Sequence, residues 1–553
     1  MASTYTAAPA AGPLTTGHKR VIIASSLGTV FEWYDFFLYG SLAANIAHQF
    51  FSGVNETTGF IFTLLAFAAG FFVRPFGAAL FGSLGDRIGR KYTFLITILI
   101  MGSSTFLVGV LPSYASIGIT APVILIVLRM LQGLALGGEY GGAATYVAEH
   151  APPGKRGYYT SYIQTTATVG LFLSLLVILS CRLSIGNEAF DAWGWRIPFL
   201  VSIILLGVSV WIRLQLQESP LFKQMKAEGR TSKSPIRESF KGSNAKIMLV
   251  ALFGASSGEA VVWYTGQFYA LFFLTQSLKI DGTTANLLLA AALALACPFF
   301  ILMGWLSDRI GRKPVLLGGF ALAVFTFFPL FKALTHYGNP AIEEARTRSP
   351  ALVVADPATC SFQFDPVGVR KFTSSCDIAT AALTKAGVPY DIKPAAPGSL
   401  AQVQVGNATL NSYEGSGLSK DEGKAKGDAF TGVLKGALGE AGYPTKADPD
   451  RINKPMMIVV LFVLALYVTM VYAPLAALLV ELFPTNIRYT SMSLPYHIGN
   501  GWFGGFLPAI SFGLVAATGD IYKGLWYPIA IAAINLVVGL FFLRETRNVD
   551  ISR

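Results

Sequence analysis

The sequence predicts an all-α membrane protein with twelve transmembrane helices in two pseudosymmetric six-helix bundles and an extra periplasmic domain between helices 9 and 10. Three observations predict this fold. Charged residues make up only 13% of the 553 residues, against about 25% in a soluble domain. Long apolar runs recur along the chain. A charged loop, Gly82–Lys91, returns as Gly304–Lys313 with the same Gly, Asp, Arg, Ile, Gly, Arg and Lys spacing, as an internal duplication produces.

The apolar runs define the spans, because crossing the ~30 Å hydrocarbon core takes about 20 apolar residues. Runs of this kind lie at 21–48, 58–82, 92–111, 121–147, 158–181, 196–216, 247–275, 284–304, 314–334, 456–482, 489–518 and 523–543. The predicted domains are an N-terminal tail 1–20, the first bundle 21–216, a linker 217–246, helices 7–9 at 247–335, the insertion 336–455, helices 10–12 at 456–543 and a tail 544–553.

Lysine and arginine are concentrated in every second connection, as in the 217–246 linker, whereas 112–120 carries no charge. The positive-inside rule places the basic connections and both termini in the cytoplasm and the 336–455 insertion in the periplasm. The net charge of +11 then reflects topology in a bilayer, so no nucleic-acid partner is needed. We expect a monomer in the inner membrane.

The insertion is polar and rich in Gly, Pro, Ala, Asp and Lys. It contains Cys360 and Cys376, which an oxidising compartment would join as a disulfide, the alternative being two free thiols. The stretches 377–387 and 427–442 have helical character, which favours a small folded cap over disorder.

Carboxylates inside the predicted spans are expensive in lipid unless they are paired or hydrated, so we interpret them as functional. Glu32 and Asp35 lie three residues apart in helix 1, on one helical face. Asp35 is the better candidate for a proton carrier, with Arg129 of helix 4 as its switchable partner; the alternative is a permanent ion pair that fixes packing. Glu139, further along helix 4, is a candidate second proton site or inner gate.

Other side chains in the spans are candidates for contact with a small solute. Arg74 in helix 2 offers a planar fork suited to a carboxylate, the alternative being a structural partner of Glu32 or Glu139. Glu259 and Gln267 share a face of helix 7 with Trp263, a polar and aromatic wall unless the aromatic rings fill the core. We expect His497 to be a hydrogen-bonded core histidine. The remaining candidates are Tyr34, Gln164, Tyr264, Tyr496 and Asn500.

The repeated charged loops predict a cytoplasmic gate between the halves. The alternative is that the cations of these loops only set the orientation of the chain in the membrane. The repeated aspartates and the repeated spacing favour a gate, because orientation requires neither. The candidate gate residues are Asp86, Arg87, Arg90, Glu149, Arg156, Asp308, Arg309 and Arg312.

The paired loops resemble the signature of the major facilitator superfamily. Three stretches, at 28–40, 72–77 and 129–142, resemble its metabolite:proton symporter branch, whose members carry α-ketoglutarate, citrate, shikimate, or proline and betaine. The resemblance implies the two-bundle fold and a helix 1 acid that works with a helix 4 arginine, here Asp35 and Arg129. It does not extend to the insertion.

The chain has no Walker-type loop and no Cys–His metal cluster. Its one Gly-x-Ser-x-Gly match, at 254–258, lies inside a predicted span and not at a strand-to-helix turn, so it is no nucleophile elbow. We therefore expect neither an enzyme, nor an ATP-driven pump, nor a bound metal or cofactor. The expected function is proton-coupled uptake of a small carboxylated metabolite across the inner membrane by alternating access. The alternatives are a symporter for a zwitterionic osmolyte, a sugar-like or facilitative carrier, and a sensor or receptor on a transporter scaffold.

Overall fold

The computed structural model describes residues 16–51, 69–215, 218–361 and 373–551. Helix α1 spans Thr16–Ser41, and a short helix, Ala43–Phe50, follows it. The predicted second span lies partly outside the described residues; its described helix, α2, is Arg74–Ile88.

Ten helices of the described ranges are long and apolar enough to cross a membrane. They are α3 Arg90–Val110, α4 Thr120–His150, α5 Arg156–Ile185, α6 Arg196–Leu214, α7 Ser243–Ser277, α8 Gly282–Ile310, α9 Arg312–Gly338, α10 Lys454–Leu482, α11 Arg488–Val515 and α12 Lys523–Phe542. Shorter helices at Tyr114–Ile117, Asn187–Ala189, Pro220–Ala227 and Pro235–Ser239 lie in the connections.

The two halves meet along two helix pairs, α2 with α11 and α5 with α8. Glycine permits both approaches. A Cβ on Gly82 would lie 2.8 Å from the Thr490 Cα, and a Cβ on Gly304 would lie 2.5 Å from the Gly157 carbonyl oxygen. Gly82 and Gly304 are the first residues of the repeated loops, so the duplicated sequence places a close contact at equivalent points of the two bundles.

The insertion contains a four-stranded sheet of order β2-β1-β3-β4. Its strands are β1 Ala351–Ala355, β2 Tyr390–Pro394, β3 Gln402–Val405 and β4 Ala408–Asn411, with β1 parallel to β2 and antiparallel to β3. Its helices are Pro340–Arg348, Ser375–Ala386 and Lys420–Glu440. The last two coincide with the predicted helical stretches, but the all-α prediction is wrong for the insertion, because strands of four or five residues give too short an alternation to detect.

The insertion packs on the C-terminal half. The Tyr390 N–H donates to the Gly519 carbonyl at 3.0 Å, and the Ala447 N–H donates to the Lys279 carbonyl at 3.0 Å. Within the insertion a disulfide joins Cys360 and Cys376. These contacts attach the insertion to the connections after α7 and α11 of the C-terminal half.

Candidate substrate cavity and ionic latch

A small cavity lies where helices of the two halves converge. Its walls come from α1, α2 and α4 of the first half and from α11 of the second. The lining residues are Glu32, Trp33, Phe36, Arg74, Leu136, Tyr140, Tyr496 and His497. Of the predicted proton-coupling and substrate-binding residues, Glu32, Arg74 and Tyr496 line this cavity.

Arg74 stands where α2 begins, after an interruption at Val73 that precedes Pro75. Proline has no N–H and cannot continue the hydrogen bonding of the preceding helical turn. The interruption therefore places Arg74 at the first position of the new helix. The guanidinium lies over the Phe71 ring at 4.3 Å and near Tyr264. Arg74 is buried, and within the described ranges no carboxylate lies within 4.0 Å of it.

Glu32 is also buried and, like Arg74, forms no ion pair within the described part of the chain. The cavity therefore presents one acid and one cation that do not neutralise each other by direct contact. Burying such groups is unfavourable unless something else satisfies them.

Asp35 and Arg129, the predicted switchable partners, do not form a direct ion pair in this structure. Arg129 donates to the Gln132 side-chain oxygen at 2.5 Å, and the Gln132 amide donates to the Thr105 hydroxyl at 2.7 Å. The Thr105 side chain lies beside Asp35. A polar chain thus connects the two charges indirectly, through a threonine of α3 that carries no recognisable signal in the sequence.

Glu139 is not among the residues that line the cavity. It forms a buried ion pair with Arg213 of α6 at 2.5 Å, and the Arg213 guanidinium lies 3.5 Å from the Phe94 ring centre. Arg213 was not predicted as a functional residue, although an arginine inside a predicted span is the signal that would have identified it.

Several predicted ligands are not among the lining residues and bind other side chains instead. Gln164 donates to the Tyr140 hydroxyl at 2.8 Å, and Asn500 donates to Glu259 at 3.0 Å. Tyr140 stacks on Tyr496 at 3.7 Å across the two halves. Tyr34 and Gln267 are also outside the lining: Tyr34 donates to the Pro198 carbonyl within the first bundle, and Gln267 lies in a π-helical segment of α7.

Aromatic rings from both halves meet on the side of the cavity nearer the end of α1. Trp33 contacts Trp263 at 5.5 Å, and Phe37 stacks on Phe268 at 6.0 Å. Phe36 also contacts Phe268. We call Trp33, Phe36, Phe37, Trp263 and Phe268 the aromatic layer. Trp33 and Phe36 also line the cavity, whereas Trp263 belongs to the layer and not to the cavity lining.

The opposite ends of the helices are joined by an ionic latch of two equivalent triads. In the first, Glu149 of α4 accepts from Arg90 at 3.4 Å and from Arg488 of the other half at 2.9 Å. In the second, Glu481 of α10 accepts from Arg312 at 3.2 Å and from Arg156 of the other half at 3.4 Å. Each glutamate thus binds one arginine from each half.

The repeated aspartates bind helix N-termini of the opposite half. Asp86 accepts from the Thr490 N–H at 2.9 Å at the start of α11, and Asp308 accepts from the Tyr158 N–H at 2.7 Å at the start of α5. Peptide N–H groups at a helix start are natural partners for a carboxylate. Two predicted gate residues, Arg87 and Arg309, are exposed and lie outside the latch.

Part of the latch was not predicted from the sequence. Glu481 was not a candidate, because the role of its carboxylate depends on partners far away in the sequence. The C-terminal tail was not a candidate either; its Val549 carbonyl accepts from Arg156 at 2.8 Å, and its Ile551 carbonyl accepts from Arg488 at 2.5 Å. The tail therefore contacts one latch arginine from each half.

Removing the tail after Arg547 is expected to open the latch more often. The truncation removes two charge-assisted hydrogen bonds of the latch. In a Ser161→Cys background, where residue 161 is buried while the latch is closed, the rate of reaction with an impermeant maleimide is therefore expected to rise about tenfold. Labelling in inside-out vesicles, with Cys181 and Cys297 replaced by serine, measures this. Truncation after Ile551 keeps both carbonyls and is the control; equal labelling of the two truncations would contradict a role for the tail.

With two bundles, a cavity between them and a closed latch, the fold and site define a secondary transporter. A model of the family "Sugar (and other) transporter" matches residues 21–248. The chain also resembles the crystallised proton:xylose symporter XylE, with a TM-score of 0.60 and 16% identity over 97% of this chain and 98% of that one. This likeness shows the fold.

Two curated bacterial relatives place the chain more narrowly. It is 37% identical to the shikimate transporter of Escherichia coli (strain K12) over 57% of this chain and 72% of the relative. It is 35% identical to the proline/betaine transporter of Salmonella typhimurium over 56% of this chain and 64% of the relative. The chain belongs to the metabolite:proton symporter branch of the major facilitator superfamily, a group of membrane transporters and not enzymes.

Proposed function

We propose that this protein is a proton-coupled symporter that takes up a small carboxylated metabolite across the inner membrane. The observation that carries the proposal is that two buried groups at the cavity, Arg74 and Glu32, form no direct ion pair with any described residue. A carboxylate bound to Arg74 satisfies the guanidinium with two parallel charge-assisted hydrogen bonds, which a neutral sugar does not provide.

The proton enters through Glu32. When Glu32 is ionised, its charge offsets that of Arg74 and disfavours a second anion in the cavity. Protonation of Glu32 removes this competition, so the substrate anion and the proton are taken up together and the net charge of the cavity is unchanged. Asp35, beside Thr105, and Glu139, paired with Arg213, are the other candidate proton sites.

Alternating access requires that the two seals open in turn. In the proposed cycle the ionic latch closes one end of the cavity and the aromatic layer closes the other, and both seals are closed in the occluded state. Rocking of the bundles about the α2–α11 and α5–α8 contacts would break one seal while the other stays closed.

Replacing Glu32 by glutamine is expected to abolish accumulation driven by a pH gradient while leaving counterflow exchange within about threefold of the unmodified protein, because a neutral amide mimics the protonated acid. Uptake into proteoliposomes with an imposed pH gradient measures both activities. Glu188→Gln, at an exposed acid, is the control. If Asp35→Asn loses accumulation and Glu32→Gln keeps it, the proton site lies at Asp35 instead.

A second candidate, uptake of a zwitterionic osmolyte, is favoured by the rings around the cavity. Trp33, Phe36 and Tyr140 present aromatic faces that attract a quaternary ammonium group. A panel of shikimate, α-ketoglutarate, proline and betaine in the same vesicles separates the two. Transport of betaine without transport of either acid would replace the first proposal by the second.

A further inference from the structure

His497 is the least satisfied polar side chain of the cavity wall. It is 2% exposed, and neither ring nitrogen has a hydrogen-bond partner in the described part of the chain. This contradicts the expectation of a hydrogen-bonded core histidine. Buried polar groups are normally paired, so two unpaired nitrogens on a side chain that lines a cavity point to a ligand that supplies the missing partners.

The backbone holds His497 in this position. Pro495 lies within α11 just before it, and a π-helical turn, Gly499–Gly504, follows directly. A Cβ on Gly499 would lie 2.8 Å from the Ser256 carbonyl oxygen, so α11 is pressed against α7 at this point. A π-helical turn is a local irregularity that occurs often at functional sites.

The chemistry of the imidazole restricts its partner. A neutral imidazole has one N–H donor and one acceptor nitrogen, and the nearby Arg74 disfavours a second positive charge on the ring. A carboxylate or a keto group only accepts, so it satisfies the donor and leaves the acceptor bare. A hydroxyl group both donates and accepts and can satisfy either nitrogen, and two hydroxyls satisfy both.

We propose that the substrate is a hydroxylated carboxylate whose carboxylate binds Arg74 and whose hydroxyl groups bind His497, which makes His497 a specificity-determining residue. This rests on the proposed function, because it requires a carboxylated substrate. It also goes further, since it excludes simple keto acids, unsubstituted acids and betaines as preferred substrates. Sites built to hydrogen-bond a hydroxyl discriminate strongly against analogues that lack it, because the site is then left unpaired.

The test compares acids with and without hydroxyl groups. Shikimate with cyclohex-1-enecarboxylate, and malate with succinate, are used as competitors of counterflow in proteoliposomes containing the full-length protein. The unmodified protein is expected to prefer the hydroxylated member of at least one pair by about 100-fold or more. His497→Phe is expected to reduce that ratio to about threefold or less, and His497→Gln, which keeps a donor and an acceptor, to retain part of it.

His336→Phe, at an exposed histidine, is the control and should keep the full ratio. A ratio near one in the unmodified protein, or a full ratio in His497→Phe, would overturn the proposal. The ratio in the unmodified protein remains decisive even if the variants do not fold. Transport of acids without discrimination removes only the role of His497, whereas absence of any acid transport removes the proposed function as well.

Discussion

Replacing Arg74 by glutamine is expected to lower kcat/KM for uptake of a carboxylated substrate about 100-fold or more, because removing one partner of a desolvated charge pair costs roughly 2–5 kcal/mol. Arg74→Lys keeps the charge but loses the planar fork, so a smaller loss of about tenfold is expected. Initial rates of uptake into proteoliposomes over a range of substrate concentrations measure both variants.

The stability of the Arg74 variant separates loss of binding from misfolding. Without substrate, Arg74 is a buried cation with no ion pair among the described residues, and burying such a charge is unfavourable. Arg74→Gln is therefore expected to leave the Tm of the detergent-solubilised protein unchanged or higher. Arg309→Gln removes an exposed arginine and is the matched control for charge. Unimpaired acid uptake by Arg74→Gln would show that the substrate anion binds elsewhere.

Replacing Glu149 by glutamine is expected to open the latch. It leaves Arg90 and Arg488 without their shared carboxylate, and breaking a buried pair in this way costs roughly 3–5 kcal/mol. The cost falls on the latched state, so the balance between latched and open states shifts by about 100-fold or more. Maleimide labelling of the Ser161→Cys variant in inside-out vesicles measures this shift. Accumulation of substrate is expected to decrease as the open state becomes more populated.

The pseudosymmetry of the latch supplies the strictest control. Glu481→Gln frees Arg312 and Arg156 in the equivalent triad and is expected to have an effect of similar size. Adding Arg488→Leu to Glu149→Gln removes one of the stranded charges and should restore part of the closed state. Arg87→Gln, at an exposed arginine beside the first triad, should change nothing. Labelling that is unaffected in both glutamate variants would show that the latch does not control access.

Much of this site was predicted in kind but not in detail. Glu32, Asp35, Arg74 and Arg129 stand out in the sequence because charges are rare at bilayer depth. Their partners do not stand out. Asp35 lies beside Thr105 and not against Arg129. The rotation of α1 about its axis decides that Glu32, and not Asp35 three residues later, lines the cavity.

The latch shows the same division. The repeated loops predicted a gate, and Asp86 and Arg90 take part in it. The sequence did not reveal that Glu149 binds Arg488 or that Glu481 binds Arg156, because these partners are more than 300 residues apart. In the insertion, the helices were predicted from local composition, whereas the four short strands required the pairing of β1 with β2 and β3 to become visible.

The sequence by itself determined that this chain is a duplicated helical membrane transporter with acids and arginines inside its spans, because hydrophobic length, internal repeats and misplaced charges are local properties of the chain. Only the tertiary structure decided that Glu32 and Arg74 share a cavity, that His497 lines it with no hydrogen-bond partner among the described residues, and that each latch glutamate binds both halves. Those outcomes depend on how helices rotate and cross when they pack, and the free energy that selects one arrangement comes from contacts between residues distant in the sequence.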